Sequence, residues 1–146
     1  MAKKTAICLS LLAAALAISS LSYAGNPILV YYWEPDGSIS EQSKDNAMEM
    51  RNIAKEQGYV TLWLVLNYPF NVYFDEMTPE EIAEQQQNVA LGFEEILDPL
   101  VASGDVWHRT EGPFIKGPGI AVRATDKGLR SLLRDDRILQ ISAAHE

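Results

Sequence analysis

Residues 119–142, GIAVRATDKGLRSLLRDDRILQIS, set a strand pattern, a short capped helix and a second strand pattern in direct succession, and so read as half of a small two-layer sandwich. Ile120, Val122 and Ala124 alternate with Ala121 and Arg123, the period of two of a half-buried strand. Asp126 is expected to cap the helix. Leu129, Leu132 and Leu133 fall on one helical face, and Ile138, Leu139 and Ile141 resume an extended apolar run.

The upstream chain supplies matching parts. Residues 59–67 alternate Val60, Leu62, Leu64 and Leu66 on one face with Tyr59, Thr61, Trp63 and Val65 on the other. A strand apolar on both faces is expected at the centre of a sheet, covered by helices on one side and by something else on the other. Thr78-Pro79-Glu80-Glu81 opens a long helix with a capping box, proline in the first position and carboxylates at the positive end of the helix dipole. Ile82, Val89, Phe93, Ile96, Leu97 and Leu100 follow the helical period up to Gly104, past Asp98-Pro99, where a kink is expected. Residues 106–110 and 120–124 read as two strands joined by a Gly- and Pro-rich connection. From residue 59 onward the order is strand, helix, strand, strand, helix, strand. This is the split βαβ, ferredoxin-like α+β plan: a four-stranded antiparallel sheet with two helices on one face.

A strand pattern at residues 28–33 and a helix pattern after it form an N-terminal extension. Pro35-Asp36-Gly37 ends the strand, Ser38 or Ser40 is placed to cap the helix, Ala47, Met50 and Ala54 form its stripe beside Ile53, and Gly58 stands at its stop. The expected neighbours of the 59–67 strand leave this first strand only a sheet edge or a place outside the sheet.

Residues 1–24 carry the marks of a secretory signal peptide: Lys3 and Lys4, an apolar run from residue 5 to 18, and Ser22-Tyr23-Ala24 as a small-x-small cleavage site. The run is shorter than a comfortable bilayer span. Cleavage after Ala24 leaves 122 residues without cysteine, carrying ten Lys and Arg against twenty Asp and Glu, a net charge of −10. The expected division is a signal peptide (1–24), the strand-helix extension (25–57) and a main domain (58–146), secreted or periplasmic, with no membrane association after cleavage. No Lys or Arg occurs between Lys55 and Arg109, which argues against nucleic acid as a partner.

In its order of elements the chain resembles the propeptide domain of subtilisin-like serine proteases and the related free-standing inhibitors. The resemblance rests on the leucine-rich helix followed by Asp, a basic residue and a strand with apolar residues three apart, Ile138 and Ile141. It rests also on AKEQGYVTLWLVLNYPF, a helix end, a glycine, an aliphatic strand and a Pro-Phe turn, and on the Gln- and Ala-rich helix EEIAEQQQNVALGFEEIL. It covers about residues 48–142. It implies a non-enzymatic protein that inhibits a subtilisin-like protease or assists its folding, docking through the helix-free sheet face and running its C-terminal residues into the active-site cleft. The residues so implied are Thr61, Trp63 and Val65 on the sheet, and Ala143, Ala144, His145 and Glu146 in the tail. The five residues after Ile141 reach about 17 Å if extended, shorter than the family's tails. An alternative reading of the sheet face is that the extension covers it. An alternative reading of the whole is an extracytoplasmic protein-binding or self-associating module on the same fold.

Other chemistries fit poorly. Without thiols in the mature chain, and with His108 and His145 in different elements, no metal set is formed. Asp75, Glu76, Glu80, Glu81 and Glu84 lack the alternating ligands and glycine turn of a calcium loop. Gly117-Pro118-Gly119 leads into a strand rather than a phosphate-binding helix, and no Gly-x-Ser-x-Gly turn is present. No cofactor is expected. When the chain is exported from a bacterial host, intact-mass measurement of the mature product is expected to show Gly25 as the first residue; a product retaining residues 1–24 would overturn the signal-peptide reading.

Overall fold

The computed structural model describes residues 28–107, 110, 114 and 116–144; residues 1–27, and with them the expected signal peptide, lie outside that set. Five strands, β1 (Ile28–Tyr32), β2 (Val60–Leu66), β3 (Val106–Trp107), β4 (Gly119–Ala124) and β5 (Ile138–Ala144), and three α-helices, α1 (Glu41–Gln57), α2 (Pro79–Ala102) and α3 (Asp126–Leu133), make up an α+β fold. The strands form one sheet in the order β1-β5-β2-β4-β3, antiparallel at every pairing.

The sheet therefore has five strands where four were expected, and three helices cover it rather than two. The cause is β1. It pairs along its whole length with β5, from Ile28 opposite Ala144 to Tyr32 opposite Gln140, and so covers a backbone edge that β5 would otherwise leave open. Its alternation suits the place, since Leu29 and Tyr31 point into the core while Tyr32 is exposed. The Tyr31 hydroxyl donates to the Leu133 carbonyl at the end of α3, and burial pushes the phenol pKa up. Residues 28–57 thus share one sheet and one core with the rest of the described chain.

β2 lies inside the sheet between β5 and β4, as its two apolar faces require. Val60, Leu62, Leu64 and Leu66 are buried against the helices in one core with Met50 and Ala54 of α1, Val89, Phe93 and Leu97 of α2, and Leu129 and Leu132 of α3. All three apolar stripes fall on the same side of the sheet. The helix ends follow local rules. Ser40 caps α1 by accepting from the Ser43 amide, and Gly58 ends it with φ 85°, a left-handed turn that a β-carbon would strain. Thr78 and Glu81 form the reciprocal capping box of α2, Pro79 occupies its first position, and the helix continues past Pro99 to Ala102. Gln85 is buried on α2, where it accepts from the Asn71 amide and donates to the Asn71 carbonyl, pinning the loop that also seats Phe70 in the core.

One cap differs from expectation. Thr125, not Asp126, caps α3 by accepting from the Gly128 amide. Asp126 sits in the first turn, where it accepts from Arg51 of α1 at 2.9 Å and lies 3.5 Å from Arg130. The hydrogen bond from Arg51, with the positive charges of Arg51, Lys55 and Arg130, holds the Asp126 pKa below the ordinary carboxylate value. Its contribution is complete above about pH 4 and is lost as pH falls through the depressed folded value. In urea unfolding, Asp126→Asn is expected to be less stable than the parent at about pH 6, with the gap closing toward about pH 3; a gap independent of pH would refute this role for the ion pair.

Candidate protein-binding face

The side of the sheet opposite the helices is read from the strand register. Trp63 of β2 lies opposite Ser142 of β5 and Ala121 of β4, and Ser142 lies in turn opposite Val30 of β1. One step along, Tyr32, Gln140, Val65 and Gly119 form a parallel row; one step the other way, Thr61, Arg123 and Trp107 do so. Three ranks of side chains result, with no Asp or Glu in any of them. The described acidic residues lie in the helices, in the turns and at strand ends.

Two large side chains stand out of this surface, Trp63 at 37% exposure and Tyr32 at 39%. The position of Trp63 depends on glycine. A β-carbon at Gly119 would overlap the indole, so the bare backbone of β4 is what lets the ring lie across the neighbouring strand. Between the aromatic flanks Gln140 and Ser142 are buried, and the Gln140 amide donates to the Ser142 hydroxyl at 3.0 Å. At the other end the Arg123 guanidinium lies 5.1 Å from the centre of the Tyr59 ring, and Tyr59 meets Trp107 edge-on at 5.9 Å. The Tyr32 phenol is raised above its ordinary pKa, first by the charge of Glu34 just beyond the strand and then by burial.

The expected site residues divide into two groups. Thr61, Trp63 and Val65 share this face, Trp63 and Thr61 exposed and Val65 buried beside Gln140 and Gly119. Ala143 and Ala144, expected in a free tail, belong to β5. Ala143 points into the core at 1% exposure between Leu29 and Leu62, and Ala144 is paired with Ile28. His145 and Glu146 lie outside the described residues, as does His108. Val30, Tyr32, Ala121, Arg123 and Trp107 belong to the face without having been expected there. Parity alone would have selected Ala121 and Arg123, which alternate with the core residues of β4; Val30 and Tyr32 needed the pairing of β1 with β5. Among the described residues no group of three or more His, Cys, Asp or Glu side chains is placed to hold a metal ion. Glu81 is engaged in its capping box.

No family model matches this chain, and neither a curated protein nor a solved structure matches it.

The dependence of Trp63 on Gly119 is open to test. Gly119→Ala is expected to change the near-ultraviolet circular dichroism while the far-ultraviolet spectrum is kept, and to cause no such change when combined with Trp63→Phe. An unchanged near-ultraviolet spectrum in the single variant would show that the indole is placed by other contacts.

Proposed function

We propose that the chain is a secreted or periplasmic, non-enzymatic partner of a subtilisin-like serine protease, acting as a free-standing inhibitor, a folding chaperone or both. The observation that carries this reading is the helix-free sheet face, whose described strand positions hold no Asp or Glu and from which Trp63 and Tyr32 project, in a chain that is otherwise strongly acidic. Exposed aromatic side chains on a rigid sheet suit a protein interface, because little conformational entropy is lost when they dock. The strand order β5-β2-β4-β3, with α2 following β2 and α3 following β4, supports a ferredoxin-like split βαβ arrangement to which β1 and α1 are added. That arrangement and the resemblance of the sequence to protease propeptides point the same way.

Docking through the sheet accounts for the geometry better than insertion of Ala143 and Ala144 into a cleft, because β5 holds both in its ladder and Ala143 fills the core. The same observation favours folding assistance, in which a surface template suffices, and keeps a second reading in view: a binding or self-associating module that uses this face without inhibiting a protease. Residues 1–24 serve export in either case.

Titration of the exported protein against subtilisin-like proteases, with trypsin as control, is expected to give saturable, stoichiometric inhibition confined to the subtilisin class, or faster refolding of a denatured protease of that class. Trp63→Ala is expected to weaken the effect about tenfold or more while the far-ultraviolet circular dichroism is kept, and loss of that spectrum would instead give Trp63 a structural role. Failure of the parent protein in both assays would overturn the protease reading and leave the module.

A further inference from the structure

Arg123 is the single charged side chain in the three ranks of the helix-free face. It stands between Thr61 of β2 and Trp107 of β3, with its guanidinium over the Tyr59 ring. Elsewhere Arg51, Arg130 and Arg137 pair with aspartates of the helix layer and its turns, and Arg134 lies exposed just after α3. Among the described residues Arg123 has no such carboxylate partner, although the chain holds twenty Asp and Glu against twelve Lys and Arg. The contact with Tyr59 orients the cation without neutralising it, and the edge-on contact of Tyr59 with Trp107 steadies the ring beneath.

Docking this face would remove Arg123 from water. A guanidinium buried without an acceptor is costly, whereas one that meets a carboxylate forms paired charge-assisted hydrogen bonds. We propose that Arg123 is the charged anchor of the interface and that the protease surface seated on the sheet presents a carboxylate opposite the rank Thr61, Arg123 and Trp107. This rests on the protease reading above and adds to it the chemistry of the partner surface: apolar where it meets Trp63 and Tyr32, acidic at one margin. A phosphate would satisfy the same guanidinium, but nucleic-acid binding draws on several cations along a backbone, and among the described residues this face offers one.

The test compares parent, Arg123→Gln and Arg123→Lys proteins for binding to a subtilisin-like protease at low and high salt, with far-ultraviolet circular dichroism to monitor folding. Arg123→Gln is expected to bind about tenfold more weakly or worse, with a smaller loss on adding salt. Arg123→Lys, which keeps the charge, is expected to retain part of the affinity and to couple with a carbodiimide to an Asp or Glu of the protease, giving a cross-linked peptide that contains position 123. Equal affinities for parent and Arg123→Gln would overturn the proposal and leave the protease reading standing. A parent that binds no protease removes both. Binding of a labelled single-stranded oligonucleotide that is lost in Arg123→Gln would overturn the carboxylate in favour of a nucleic-acid phosphate.

Discussion

β2 is apolar on both faces, and the rest of the structure is arranged around that constraint. Its inward leucines, Leu62, Leu64 and Leu66, each gain about 1.5–3 kcal/mol from burial, and no single helix of this chain is broad enough to cover them. α1, α2 and α3 therefore share the task, α1 packing on β1, β2 and α3, and α2 on β2 and β3. Among the described residues, no helix covers the outward face of β2. It is bordered by strands alone, and that leaves Trp63 at the surface.

Charge is distributed by the same division into layers. Helices tolerate carboxylates on their solvent side and favour them in their first turn, and α2 carries Glu80 and Glu81 there. The strands carry β-branched, aromatic and small residues, and the acidic groups needed for solubility accumulate on the helix side. Among the described residues, the carboxylates thus cluster on the helix side, while the strand positions of the helix-free face carry one charge, the positive charge of Arg123. Approach of a partner through the helix layer meets repulsion from any acidic surface, while approach through the sheet does not.

Much of this was legible in the residues. Alternation at Val60, Leu62, Leu64 and Leu66 gave the inward face of β2, and the same parity put Thr61, Trp63 and Val65 outside. The capping box at Thr78 and the stops at Gly58 and Gly104 are local, short-range signals, and they hold. What escaped depended on distant parts of the chain. Asp126 was expected as the cap, but the adjacent Thr125 holds that position, which leaves the Asp126 carboxylate to Arg51, far away in sequence. The place of β1 was not written in its own alternation, since any edge strand with Leu29 and Tyr31 inward would read alike. The burial of Gln85 has no signal in the helical pattern, since its partner is loop backbone at Asn71. Ala143 was legible and was missed: it lies two residues after the core residue Ile141 and follows its face once the strand is extended through Ala144.

The position of β5 bears on when this protein can fold. β1 and β2 come early in the chain, yet they do not touch each other in the sheet; both wait for β5, which lies between them. Until the segment from Ile138 to Ala144 has left the ribosome, the first strand has no partner, β2 has one open edge, and most of the described chain is already made. Such long-range pairing slows closure of the sheet. Under the export reading proposed above, the order of its strands would act as a delay, leaving the sheet open until the last strand emerges and can close it.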